Sequence, residues 1–145
     1  MSLKRLLCIF FSVVAIASAV FIFSNSCFAV EAASTVDAEI MDEPIYTFSL
    51  FDYFTFLVLG IALACVYFTS KYRYNQKMIN LIFAGCLIAV GTETVQYFSG
   101  CMSSMGDVWT DIAGLLTGFI TVSVIVILIR LIRIKLNHKI MVNKG

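Results

Sequence analysis

The chain has 145 residues, a net charge of +1 and a hydrophobic fraction of 61%, against roughly 45–50% in ordinary globular proteins. A soluble core cannot absorb this much apolar surface, and the mean hydropathy is +0.97. These values exclude the soluble globular class and predict one all-α integral membrane domain over residues 1–145.

Four apolar runs are long enough to cross a bilayer, and they predict four transmembrane helices in a small bundle. The runs cover residues 6–26, 46–70, 78–98 and 108–131. The first run follows Lys4 and Arg5 and could also be a cleaved signal peptide. Its apolar stretch from Leu6 to Phe23, about 18 residues, favours an uncleaved helix, because the apolar core of a signal peptide is usually shorter.

Positive and negative side chains occupy different intervals between the apolar runs. Residues 27–45 form an acidic loop, residues 71–77 a short basic loop, and residues 130–145 a basic tail. Because loops rich in Lys and Arg stay in the cytoplasm, the pattern predicts cytoplasmic termini and an acidic loop outside a bacterial cell membrane. We interpret the basic loop in this way rather than as a nucleic-acid site. The tail is expected to contact anionic membrane lipid.

Polar residues interrupt the third and fourth runs at positions that fall on single helix faces. Glu93 and Gln96 are three residues apart and therefore share a face of the third helix. One face of the fourth helix carries two acids followed by two glycines, namely Asp107, Asp111, Gly114 and Gly118. Acids inside a membrane span usually turn inward, and small residues let another helix pack closely. The pattern predicts a functional polar site between two packed helices.

The chemistry of this site depends on how several carboxyl groups share it. Asp52, at the outer end of the second helix, is expected to join. Crowded carboxylates in a low-dielectric setting either hold protons or share a cation, and all-oxygen sites suit Mg²⁺ or Ca²⁺. Glu93, Asp107 and Asp111 are therefore candidate ligands for a divalent cation that would bind the phosphate-rich head of an envelope lipid. Asp107 could instead act only as a helix N-cap.

The five cysteines show no spacing typical of a metal or redox site. Cys27 and Cys101 fall on the same predicted side of the membrane, where a disulfide and two free thiols are both open. The odd number of cysteines favours free thiols.

The site residues form an ordered series along the chain. The series reads Glu93-x-x-Gln96, then Phe98-x-Gly100, then Asp107-x-x-x-Asp111-x-x-Gly114-x-x-x-Gly118. It resembles the signature of VanZ-like membrane proteins. Residues 21–26 and 52–60 are similar to the end of that family's first helix and the start of its second, so the likeness spans roughly residues 10–125.

The resemblance implies a four-helix protein of the bacterial cell envelope linked to glycopeptide (teicoplanin-type) resistance. A glycopeptide or a lipid-linked cell-wall precursor would then be its partner. The chain departs from the family pattern at four positions. Cys101 stands in place of an arginine, Asp111 of an asparagine, Asp52 of a histidine and Ser49 of a lysine.

Three function classes fit these residues. The resemblance favours a non-enzymatic envelope protein that lowers antibiotic access. The second class is a metal-assisted enzyme on a lipid-linked substrate, with Glu93 and Asp107 or Asp111 as acid and base. The third is a small transporter or assembly subunit, a homo-oligomer packed through Gly114 and Gly118.

Overall fold

The structure, a computed structural model, describes residues 3–33, 50–70, 75–98 and 105–142. They form four helices, α1 (Leu3–Ala33), α2 (Leu50–Thr69), α3 (Asn75–Phe98) and α4 (Met105–Val142). All four are long and apolar enough to cross a membrane. The predicted all-helical class is confirmed, as is the prediction of four helices able to cross a membrane, and the four candidate spans indicate a multi-pass membrane protein.

The hydroxyl side chains within the helices are bonded to the helices' own backbone. Ser12 Oγ donates to the carbonyl of Cys8 at 2.8 Å, and Ser18 Oγ donates to that of Val14 at 2.9 Å. The same bond, from residue i to the carbonyl of residue i−4, recurs at Thr94, Thr110, Thr117, Thr121 and Ser123. Such bonds satisfy a hydroxyl where water is absent, so these residues do not interrupt an apolar helix.

Two helices extend past their predicted ends. α1 runs to Ala33, so the predicted loop over residues 27–45 begins later than expected. Residues 28–33 read Phe-Ala-Val-Glu-Ala-Ala. They include no glycine or proline, and alanine is the strongest helix former, so the helix persists after the apolar run has ended.

α4 begins at Met105 rather than at residue 108 and continues to Val142 rather than 131. The basic tail predicted over residues 130–145 is thus, through Val142, the continuation of the fourth helix. Arg, Leu, Ile and Lys are compatible with a helix, and a charged surface does not end one. At 1.5 Å per residue α4 is about 57 Å long, well above the roughly 30 Å of a hydrocarbon core.

The starts of the two middle helices also differ from the predictions. α3 begins at Asn75 rather than at residue 78, so part of the basic loop is helical. α2 begins at Leu50, and the predicted residues 46–49 lie outside the described part of the chain, as do residues 34–45 of the acidic loop.

Contacts between the helices show that their directions alternate. The ring of Phe21, in the second half of α1, lies against that of Phe51 at the start of α2, with centroids 6.4 Å apart. Lys77 Nζ donates to Ser70 Oγ where α2 ends and α3 begins. The bundle therefore runs up and down in chain order, with the starts of α2 and α4 at the same end.

α2 and α3 each contact all three other helices, whereas α1 and α4 do not touch within the described ranges. The core lies along α2 and the facing part of α4, where Phe56, Leu59 and Leu115 are almost fully enclosed. Further along this contact, the rings of Tyr67 and Phe119 lie 6.3 Å apart. The outward faces of all four helices are apolar, as expected of surfaces that meet lipid.

The contact between α2 and α4 is the most extensive of the bundle, and glycine makes it possible. A Cβ atom at three positions would collide with a carbonyl oxygen of the facing helix: Gly60 with that of Leu115, Gly114 with that of Tyr53, and Gly118 with that of Leu57. Because the obstructing atoms are backbone, no rotamer change can make room. We call this contact the glycine seam.

We expect Gly114→Ala and Gly118→Ala each to destabilise the fold by about 1–3 kcal/mol, because the added methyl forces the two backbones apart. Gly91→Ala is the matched control. Its Cβ would meet only the side chain of Phe23 at 3.4 Å, an ordinary contact. Thermal unfolding of the purified protein in detergent measures all three. Equal midpoints for the seam variants and Gly91→Ala would contradict a tight contact.

Candidate functional site

Three helices bring their acids together at one end of the bundle. Asp52 comes from the first turn of α2, Glu93 from the last part of α3, and Asp107 and Asp111 from the start of α4. Glu93 interacts electrostatically with Asp107 and Asp52. Asp111 interacts with Asp52, Glu93 and Asp107. The structure therefore places all four acids named from the sequence in one electrostatic neighbourhood, which we call the acidic end.

The four acids differ in burial. Asp111 is 2% exposed and Glu93 is 8% exposed, whereas Asp52 and Asp107 are half-buried. One oxygen of each enclosed group, Glu93 Oε2 and Asp111 Oδ1, has no hydrogen-bond partner among the residues that the structure describes. An enclosed polar atom without a partner loses its hydration and gains nothing in return, which costs about 1–3 kcal/mol and more for a charged group.

Helix ends favour the two half-buried acids over the two enclosed ones. Asp52 and Asp107 each lie in a first turn, where unpaired N–H groups and the positive end of the helix dipole stabilise negative charge. Asp111 lies more than a turn deeper, and Glu93 lies near the negative end of α3. The dipole effect fades within one turn, so neither Asp111 nor Glu93 gains from it.

Two buried threonines next to the enclosed acids were not among the predicted site residues. Thr92 Oγ1 donates to the carbonyl of Ala89 at 2.8 Å, and Thr110 Oγ1 donates to that of Gly106 at 3.0 Å. Their protons are thus directed to backbone and not to Glu93 or Asp111. The signal in the sequence was their position directly before each acid.

The other predicted site residues lie on the same faces as the acids. Gln96 is half-buried and lies one turn from Glu93, toward the end of α3. Gly114 and Gly118 lie in the glycine seam, on the helix face of α4 that also carries Asp111. The seam therefore fixes the rotation of α4 and holds the Asp111 side chain inside the bundle.

Glu93, Asp107 and Asp111 were also predicted to be ligands of a divalent cation. No three or more His, Cys, Asp and Glu side chains of the described ranges are placed to hold a metal ion. The assignment of these three acids as ligands stays a prediction.

Several predictions fall on residues that the structure does not describe. They concern Cys101, the side chain of Cys27, Ser49 and Gly100 of the Phe98-x-Gly100 pair. The thiol state of Cys27 and Cys101 stays a prediction.

We expect Asp111→Asn to keep or raise the free energy of unfolding, with a gain on the order of 1 kcal/mol. The amide keeps the shape of the side chain and removes one negative charge from a crowded group. Asp111→Ala removes the same charge but leaves a space, so it should be less stable than Asp111→Asn. Thermal unfolding in detergent compares them, with Lys77→Gln as a charge control at the other end. A midpoint for Asp111→Asn as low as that of Asp111→Ala would contradict the interpretation.

The comparisons with known proteins add no relative to this picture. No family model, no curated protein and no solved structure matches the chain. The resemblance to VanZ-like proteins therefore rests on the residues that carry it: the acids and Gln96 at the acidic end, and Gly114 and Gly118 in the seam.

Proposed function

We propose that this protein is a VanZ-like, multi-pass protein of the bacterial cytoplasmic membrane that binds a ligand at its acidic end and lowers the action of teicoplanin-type glycopeptides. It acts by binding, not by catalysis. The observation that carries the proposal is the pair of enclosed oxygens, Glu93 Oε2 and Asp111 Oδ1, without protein partners in the described ranges. Acids held inside a membrane span are costly and usually serve a ligand, an ion path or a proton path.

The charge distribution supports an orientation with the acidic end outside. Lys4, Arg5 and Lys77 lie at the opposite end of the bundle, and Arg130, Arg133 and Lys135 follow on the far part of α4. Basic residues flanking transmembrane helices are retained in the cytoplasm. Both termini are then cytoplasmic, and the acidic loop between α1 and α2 is external.

Helix geometry supports a site just inside the outer border of the hydrocarbon layer. Along the helix axes, Glu93 lies about 24 Å from Lys77, and Asp111 lies about 28 Å from Arg130. A hydrocarbon core is about 30 Å thick, so basic residues at its inner border place both acids near its outer border. Exposed aromatic side chains typical of a membrane interface lie at the same level, among them Tyr97, Phe98 and Trp109.

We prefer binding because no observation on the described residues favours a metal-assisted enzyme, a transporter or an assembly subunit. A metal-assisted enzyme needs a ligand set that the described acids do not form. A transporter or oligomeric subunit would use Gly114 and Gly118 between copies of the chain, yet both glycines are occupied by α2 within one chain.

The proposed orientation predicts the activity of reporter fusions. Alkaline phosphatase fused after residue 40 should be active, because that loop is external. Green fluorescent protein fused at the C-terminus should fluoresce, because it folds in the cytoplasm. The exchanged pair of fusions serves as the control and should be inactive. Activity of the exchanged pair would reverse the orientation.

The proposed function predicts that expression in a susceptible bacterium raises the inhibitory concentration of teicoplanin. Glu93→Gln and Asp111→Asn should return it to that of cells with an empty vector at equal protein level. Lys77→Gln, which lies at the opposite end of the bundle, should behave as the wild type. No effect of the wild-type protein would refute the glycopeptide role. Full effect of both acid variants would refute the site.

A further inference from the structure

The two enclosed acids of the acidic end, Glu93 and Asp111, lie far from the basic residues that the structure describes on their own helices. Lys77 is about 24 Å from Glu93, and Arg130 is about 28 Å from Asp111, along the helix axes. Direct pairing requires about 4 Å. Glu93 and Asp111 therefore have no charge partner among these side chains, and each either holds a proton or takes its counter-charge from another molecule.

The enclosed oxygens restrict the chemistry of that partner. An ionised carboxyl oxygen only accepts hydrogen bonds, so the partner has to donate. The neighbouring hydroxyls of Thr92 and Thr110 already donate to backbone carbonyls. A primary ammonium group carries a positive charge and three N–H donors, which is enough donors for both Glu93 Oε2 and Asp111 Oδ1.

The depth of the acids restricts the rest of the ligand. Glu93 lies about 8 Å below the end of α3, and Asp111 lies about 9 Å below the start of α4. The helix surfaces around them are apolar, and Val90, Trp109 and Leu116 are exposed there. A group that reaches this depth from the bilayer is most stable when it is joined to an apolar chain.

We propose that Glu93 and Asp111 bind the primary ammonium group of a membrane-borne amphiphile. This inference rests on the proposed function only in taking the acidic end as the working site. It adds the ligand class, an amine with N–H donors on an apolar chain.

Three probes with the same chain separate the contributions to binding. Dodecylamine carries charge and N–H donors, dodecyltrimethylammonium carries charge without N–H donors, and dodecanol carries a donor without charge. We expect the full-length protein in detergent micelles to bind dodecylamine roughly tenfold or more tightly than either analogue. Native mass spectrometry counts the bound probe. The emission of Trp109, the only tryptophan, reports binding two residues from Asp111.

Variants locate the binding. Asp111→Asn and Glu93→Gln should each weaken dodecylamine binding roughly tenfold or more, whereas Lys77→Gln should not change it. Equal affinity for dodecylamine and dodecyltrimethylammonium overturns the proposal, and so does unchanged binding in both acid variants. If neither variant folds, the comparison of the three probes on the wild-type protein still decides.

A water-soluble amine tests the source of the ammonium group. Butylamine should bind far more weakly than dodecylamine, and equal binding would overturn the membrane-borne source. The result is independent of the glycopeptide role. Loss of amine selectivity with an intact teicoplanin effect refutes only this inference, and amine selectivity without a teicoplanin effect refutes only the proposed function.

Discussion

The close approach of α2 and α4 is the constraint on which the rest of the structure depends. At Gly60, Gly114 and Gly118 the backbones meet without side chains between them. Small residues are what allows helices to pack this closely where no hydrophobic force drives them together. Because Asp111 lies on the same face of α4 as the two glycines, the contact that holds the bundle together also places the acid inside it.

At this position, the residue that would best stabilise the fold differs from the residue that the proposed ligand site requires. Leu115 fills the space between the helices below the acids, and an apolar residue at position 111 would extend that core. The chain instead encloses two carboxyl groups, and one oxygen of each lacks a protein partner in the described ranges. Stability alone does not account for such a choice, because a buried polar group without a partner only costs free energy. A ligand that completes the hydrogen bonds offsets this cost when it binds, and it stabilises the bundle by an amount that grows with its concentration relative to its Kd.

The sequence contains most of this arrangement, but not all of it. Apolar length predicts the four helices, and the spacing of Asp107, Asp111, Gly114 and Gly118 predicts one common face, because both follow from the period of the helix. The predicted ends of α1 and α4 were wrong because hydropathy marks where a membrane span ends, whereas a helix ends where its backbone hydrogen bonding is interrupted. Gly60 was not identified as a partner of the two α4 glycines, since the pairing of helices is not contained in either helix alone.

The site shows the same limit. Four acids could be named from their position in apolar segments, but their different burial could not. Whether an acid lies in a first turn depends on where the helix begins, and that was misjudged by three residues for α4. With the helix start corrected, Asp107 becomes a residue of the first turn and Asp111 a residue of the core. The division between two acids supported by helix ends and two enclosed acids beyond the reach of the helix ends then follows from geometry. The positive ends of α2 and α4 lie beside the site, while the positive side chains lie across the bundle. A cation approaching the acidic end is therefore attracted by the four acids. It is not met there by a competing lysine or arginine of the described chain.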